Sequence, residues 1–367
     1  MAHSQPNIPL DALARRFAHF AEGEAEEFFS PLYARLCRNI AADPEVLALV
    51  ATAQPDQPTP NLLLAAVQYL LLKGVEHPLA AFYPGIAGSP DKTNDPYPAF
   101  HAFCLEHAEA LRPLLATRLV QTNEVSRCAC LLPAFGVVAQ QAKGESLSLI
   151  EIGASAGLNL LWDRYSYDYG DGRFYGAVNS PMRLRCALQG TKTPPFLSPL
   201  PSIAFRVGLD LNPIDIHNAD EVLWLRALIW PEHHERVIRL QQALEIARKK
   251  QPLLLAGDAL ALLPDIIAEV PSDTTLCIFH SFTLNQFSPE QREQLASLLQ
   301  GVSAQRTIFR ISLERLRGDR YPRLEVITYV KGAKTVQSLA YCAPHGSWVE
   351  WGVDKVNQAT EDQIGGS

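Results

Sequence analysis

The chain has 367 residues, 47% of them hydrophobic and 19% charged, which is enough apolar material for two domains or one large one and argues against global disorder. A formal net charge of −7 gives no general attraction for polyphosphate, so nucleic acid is a poor default partner and none is expected. No basic start followed by an apolar stretch opens the chain, and the longest apolar run, Leu62 to Leu72, is interrupted by Gln68 and too short for a bilayer; neither a signal peptide nor a membrane span is expected, and the location expected is cytoplasmic.

Residues 1 to about 142 carry helical patterning and no strong strand. From Leu10 to Leu36, the residues Leu13, Phe17, Phe20, Phe28, Phe29, Leu32 and Leu36 fall at helical spacing, with Pro31 dividing or kinking the run. Asn61 to Lys73 is a further helix between Pro60 and Gly74. Tyr83 to Tyr97, rich in Pro, Gly, Asp and Asn, is a loop, and Ala99 to Leu115 and Asn123 to Gln140 are two more helices.

The pattern changes at Lys143-Gly144. Leu147 to Ile152 is a short apolar strand that runs into the turn Gly153-Ala154-Ser155-Ala156-Gly157, after which Leu158 to Trp162 continues as a helix. Residues 164–202 form a β excursion: Tyr165 to Tyr169 and Arg173 to Tyr175 flank Gly170-Asp171-Gly172 as a hairpin, and Met182 to Leu188 alternates as well. The α/β rhythm then resumes with a strand from Ile203 to Asp210, helices over Asp220 to Ile229 and Glu232 to Arg248 broken at Trp230-Pro231, and a strand from Leu253 to Ala256. Thr275 to Phe279 is a strand ending at His280. Ser288 with Gln291 is a capping-box signature for a helix to Leu299. Arg306 to Leu313 is a fifth strand, and Leu324 to Val330 and Thr335 to Cys342 form a terminal hairpin. This alternation predicts an α/β domain over 143–356 with a mostly parallel sheet, preceded by an all-α domain over 1–142 and followed by a flexible tail, 357–367. The helical domain and the 164–202 insertion are expected to pack over the carboxyl edge of the sheet.

The seven cysteines, Cys37, Cys104, Cys128, Cys130, Cys186, Cys277 and Cys342, are scattered and include no pair of CxxC motifs, so neither a metal site nor a disulfide framework is expected. Cys128 and Cys130 point to different sides of one helix as packing residues. Arg306, Arg310, Arg315, Arg317, Arg320 and Arg323 read as a solvated edge and loop.

A glycine turn between strand and helix lets backbone approach a ligand at the carboxyl edge of an open sheet, where such ligands sit. Asp210 and Asp258 end the next two strands; each suits a ribose or adenine contact, and each suits equally a helix cap. Asn123, Glu124 and Arg127 can reach the turn or form an exposed helix face. Tyr165, Tyr167 and Tyr169 share one face, as a pocket lining or as packing. His280 is a candidate general base or a loop-fixing residue.

The order Glu151-x-Gly153-x-x-x-Gly157, Asp210, Asp258 resembles the class I methyltransferases that use S-adenosylmethionine. That resemblance covers about half the chain and implies a Rossmann-like sheet and an S-adenosylmethionine site. Glu151, Gly153, Ala154, Ser155 and Gly157 would lie by the methionine part, Asp210 and Leu211 by the ribose, and Asp258 and Ala259 by the adenine, with Asn123 and Arg127 toward the donor's charged end. The strings Glu151 to Leu160, Gly208 to Asp215, Trp224 to Pro231 and Gln121 to Arg127 are similar, more closely, to a bacterial domain-of-unknown-function family, which brings no reaction. The Asn-Pro-Pro-Tyr type motif of base methylation is absent at Phe279 to Asn285, so a small-molecule acceptor is the expected substrate. Two other readings stay open. Gly153-x-Ser155-x-Gly157 also matches the nucleophile elbow of a serine esterase, with Asp258 and His280 or His345 as partners; a non-catalytic binder of S-adenosylmethionine would need the same donor site. A nicotinamide site would want glycine at position 155. Nothing in the sequence fixes the oligomeric state.

Overall fold

A computed structural model describes residues 8–54, 56–315 and 318–352 of the protein. The expected tail 357–367 and Arg317 lie outside the described residues. The chain forms two compact units: residues up to Thr122 with His217–Ile238, and Asn123–Ile216 with residues from Arg239 onward. The paired helices between Asp210 and Leu253 are therefore shared, Ala219–Ala227 going to the first unit and most of His234–Lys249 to the second.

The described elements of the first unit are helices. Thr59–Leu72 lies at its centre with almost every side chain buried, which accounts for its apolar composition. The interrupting Gln68 is satisfied there: it accepts from Tyr33 Oη at 2.9 Å and donates to the Ile229 carbonyl at 2.7 Å. Trp230 packs edge-on against Phe20 with centroids 5.4 Å apart, and Trp224 and Leu228 join the same core. The run from Leu10 to Leu36 is not one kinked helix. It divides into Leu10–Glu22, Glu24–Glu27 and Pro31–Ile40: the first break falls at Gly23, and Pro31, of the two roles open to it, divides the run by starting the last helix. Ser30 caps it, its hydroxyl accepting from Tyr33 N at 3.3 Å and donating to Glu232 at 2.7 Å. Phe29, assigned above to the apolar face, takes a φ of +57° in the intervening turn and is 76% exposed. Ala99 to Leu115 likewise divides at His107, and the Asp43-capped helix Pro44–Val50 was not foreseen.

The second unit is built on strands β1 (Leu147–Ile152), β2 (Ser166–Asp168), β3 (Phe174–Gly176), β4 (Arg183–Arg185), β5 (Ala187–Gln189), β6 (Ile203–Asp210), β7 (Leu253–Ala256), β8 (Thr275–Ser281), β9 (Ile308–Glu314), β10 (Arg323–Val330), β11 (Ala333–Cys342) and β12 (Trp348–Trp351). Nine form one sheet in the order β5-β12-β11-β10-β9-β8-β1-β6-β7. The run β7-β6-β1-β8-β9 is parallel, β10 returns antiparallel between β9 and β11, and β12 pairs antiparallel with β11 and parallel with β5. The fold class is thus α/β with a mostly parallel sheet. Strand order reverses at β1: the chain moves from it to β6 and β7 on one side, then returns to β8 and β9 on the other.

All six side chains of β1 are buried, as a central parallel strand requires. Helix Arg127–Gln141 covers the face carrying Phe279, where Phe135 stacks on Trp162 with centroids 4.2 Å apart and meets Phe279 at 5.3 Å. Ala259–Glu269 and Pro289–Val302 cover the face carrying Ile150 and Ile278. The Ser288–Gln291 capping box forms in both directions. After the glycine turn comes not an α-helix but a short 3-10 helix, Asn159–Arg164, and then the three-stranded sheet β3-β2-β4, whose hairpin turns at Gly170-Asp171-Gly172. Tyr165, Tyr167 and Tyr169 are buried, their hydroxyls donating to the carbonyls of Leu158, Trp162 and Ala129, so they pack and brace the excursion. Among the described residues no helix is long and apolar enough to cross a membrane.

Phe135→Ala empties the space between Trp162 and Phe279 and is expected to lower stability by about 3–5 kcal/mol in denaturant titration. Phe29→Ala, at an exposed site, is expected to stay within about 0.5 kcal/mol of the parent. Equal losses from the two would contradict this packing.

Candidate functional site

β1 delivers the chain into the turn at the point where strand order reverses. Gly153 has a φ of +73°, and its amide donates to the Leu209 carbonyl at 2.8 Å. A Cβ there would stand 2.4 Å from Thr283 Oγ1, so the turn lies flush against the loop that leaves β8. Ala154 N also donates to Leu209 O, and Gly157 N to Ala154 O at 2.7 Å. Ser155 is the strained member, a non-glycine residue at φ +53°. Its amide donates to Asp210 Oδ2 at 2.8 Å, and its carbonyl accepts from Ile214 N at 3.1 Å.

Asp210 thus grips the turn, and its other oxygen accepts from Asn212 N at 2.8 Å. Asp258 takes the capping role: its carboxylate accepts from Leu260 N at 3.0 Å at the start of Ala259–Glu269. Ala259 is buried, whereas Leu211, beside Asp210, is 68% exposed. An isolated apolar side chain on that edge has no core to enter.

Glu151 faces the same side of the sheet as Phe279 and is 1% exposed. Its Oε2 has no hydrogen-bond partner among the described residues, nor do the buried hydroxyls of Ser155 and Ser126. Burial pushes the Glu151 carboxyl well above its ordinary range; a hydrogen bond from Asn159 and the Arg127 charge oppose the shift, and Asp210 adds to it.

The segment Asn123–Arg127 closes over these groups and is not the exposed helix face weighed above. Asn123 Oδ1 accepts from Leu158 N at 3.0 Å, just past the turn. Glu124 accepts from Ser126 N at 3.1 Å and lies 3.8 Å from His345 Nδ1. Arg127 is buried; Nε donates to the Pro344 carbonyl at 3.1 Å, and the guanidinium sits 4.0 Å from the centre of the Phe282 ring. Gly346, at φ +72°, lets this contact form: a Cβ there would stand 2.2 Å from the Ser126 carbonyl oxygen. The turn after β1, the loop after β8, the loop after β11 and Asn123–Arg127 therefore meet at one edge. Sequence reasoning missed the contributions of Phe282, Thr283, Pro344 and Gly346, which carry no motif.

His280 lies apart from Glu151, on the opposite face of the sheet, because its strand neighbour Phe279 pairs with Glu151. The ring is 0% exposed, and Nδ1 stands 2.8 Å from Glu314 Oε1. Glu314 accepts further from the amides of Thr283 and Leu284 at 3.0 and 3.2 Å. Burial lowers the His280 pKa against the opposing pull of Glu314. A neutral ring donating through Nδ1 keeps its basic lone pair on Nε2, for which the described residues supply no partner. Arg310 and Arg323 are buried on this same face, not solvated, and Arg306 donates to the carbonyls of Val270, Pro271 and Thr274; of that arginine group Arg315 and Arg320 are exposed. In the first unit Asp43, Glu45 and His101 converge closely, His101 Nε2 lying 3.4 and 3.2 Å from the two carboxylates.

With this geometry established, residues 14–351 match the family described as an uncharacterized protein conserved in bacteria, DUF2332, and the chain belongs to that family. No curated protein matches the chain.

Because the fold holds the Glu151 proton more tightly than the unfolded chain does, this residue's contribution to stability is fully present below the free-glutamate pKa of about 4.3 and is lost as pH rises through the folded value. Glu151→Gln is expected to match the parent at about pH 4 and, at about pH 8, to exceed it by on the order of 1–3 kcal/mol in chemical denaturation. Parallel stability profiles across that range would contradict the assignment.

Proposed function

We propose that this family member binds S-adenosylmethionine at the Gly153–Gly157 turn and transfers its methyl group to a small-molecule acceptor. The observation that carries the reading is a pair of buried oxygens, Glu151 Oε2 and Ser155 Oγ, that have no hydrogen-bond partner among the described residues and are set at a glycine turn where strand order reverses. Buried polar groups are normally satisfied, and a ligand ammonium supplies the missing donors. The parallel order β7-β6-β1-β8-β9 supports a Rossmann-like sheet of the doubly wound kind, whose ligands lie at such a reversal. Asp210 stands at the carboxyl end of β6 beside the turn, the strand-end position at which such sheets bind ribose hydroxyls. The exposed Leu211 beside it offers an apolar surface to a purine ring. The capping bond of Asp258 leaves backbone around Ala259 as the more suitable adenine contact.

S-adenosylmethionine supplies an activated methyl group. The residues would hold the donor, fix its orientation and keep water away, which is most of what such a transfer requires. The chain's negative charge favours a small acceptor over nucleic acid. A non-catalytic binder would use the same groups. The serine esterase reading draws on the left-handed Ser155 between two glycines, but its hydroxyl would need a histidine partner, and no described residue bonds it. His280, turned to Glu314 on the other face, is poorly disposed for either chemistry.

In calorimetric titration the purified chain is expected to bind S-adenosylmethionine and S-adenosylhomocysteine with Kd of about 1–100 μM, and Leu211→Asp to weaken both by about tenfold, or ~1.4 kcal/mol. Absence of binding to either compound, together with labelling of Ser155 by a fluorophosphonate, would replace this reading with the esterase.

A further inference from the structure

Three of the seven cysteines meet inside the second unit, although 212 positions separate Cys130 from Cys342 in the sequence (342 − 130). Cys130 stands on helix Arg127–Gln141, Cys186 precedes β5, and Cys342 ends β11. Sheet register brings them together. Trp348 pairs with Ala187, the residue after Cys186, while Val349 pairs with Cys342 on its other side. Cys130 reaches this same step from the helix, its thiol donating to the Trp348 carbonyl at 3.7 Å. Strand register and helix position thus set Cys130 beside both other cysteines. Cys342 and Cys186 flank β12 from opposite sides, about two strand spacings apart, or on the order of 10 Å, beyond the reach of a direct disulfide. Cys130 is the shared neighbour of both.

We infer that Cys130 is the centre of a thiol switch in which it forms a reversible disulfide with Cys186 or Cys342, a hydroperoxide being the oxidant. All three sulfurs are buried. That excludes bulky disulfide oxidants and leaves hydrogen peroxide, a molecule little larger than water. The Cys130 thiolate attacks one peroxide oxygen, breaking the O–O bond; a proton completes a water molecule, and Cys130 becomes the sulfenic acid. The thiol of Cys186 or Cys342 then attacks that sulfur, losing its proton, and water leaves. Two electrons pass in all from two sulfurs to the peroxide. The two neighbouring thiols and the nearby Arg127 charge pull the Cys130 pKa below the ordinary thiol value against its burial. Cys186 and Cys342 are held up as thiols by the neighbouring Cys130 and by burial, as the resolving partner must be. The three residues take no part in the proposed donor site.

The test treats the full-length reduced protein with hydrogen peroxide and maps its peptides without reduction. Peptide Cys186–Lys192 or the peptide carrying Cys342 is expected to be joined to Cys128–Lys143, with fragmentation putting the bond on Cys130 and dithiothreitol reversing it. Cys128→Ser should leave the bridge intact, and Cys130→Ser should abolish it. Each single replacement of Cys186 or Cys342 should redirect the bond to the remaining thiol. With both replaced, Cys130 should accumulate as a sulfenic acid, captured by dimedone added as the oxidised protein is unfolded. Three results would overturn the inference: thiols unchanged in folded protein, a bridge among the other cysteines alone, or a Cys186–Cys342 bridge surviving in Cys130→Ser. The wild-type map decides the matter even if a variant does not fold.

Discussion

One carboxylate holds the candidate site together. Asp210, at the end of β6, accepts the amide of Ser155 and so fixes a non-glycine residue in the left-handed region within the turn that leaves β1. Two neighbouring parallel strands are thereby locked at their carboxyl ends. What lines that edge inherits its position: the Gly153 contact with Thr283, the reach of Asn123 to Leu158 N, and the exposed Leu211 next to the clamp. Strain of this kind costs about 1–3 kcal/mol and persists where surrounding bonds over-determine it.

The other expense at this edge is electrostatic. A central parallel strand buries both faces, so a glutamate on β1 must enter the core whatever its role. Charge on Glu151 is disfavoured there, and its Oε2 has no hydrogen-bond partner among the described residues. The departure falls beside a strained serine and a stacked arginine. The opposite face solves a similar problem differently. There Glu314 gathers His280 and two backbone amides into a closed group that braces the loop after β8.

Strong local signals proved legible. β1 and β7 have the expected limits, and the Ser288 capping box forms as its residues indicate, because each rests on near-neighbour chemistry. Signals that depended on distant partners did not carry. The short β5 and β12 have no distinctive pattern and exist through pairing with each other and with β11. Arg310 and Arg323 look like surface residues by composition but are buried, each on a strand flanked on both sides by its neighbours in the sheet. Asp258 fits a cap and a ligand contact equally well by type, and only geometry displays the cap. The glycine turn and Asp210 were foreseen as a pair, though not the bond between them; the loop residues Phe282, Pro344 and Gly346 were not foreseen at all.

The interleaving of the two units bears on how the chain is made. The N-terminal helices are synthesised first, yet their core stays incomplete until His217–Ile238 has emerged, since Trp224, Leu228 and Trp230 fill it and Glu232 binds Ser30. Between these parts the ribosome must produce all of β1 to β6. The nascent helices therefore wait with their apolar faces unmatched through nearly a hundred further residues, from Asn123 to Ile216. Exposed surface of that kind is where aggregation begins and where holding chaperones bind. The insertion makes folding of the first unit a late event in translation, despite its position at the front of the chain.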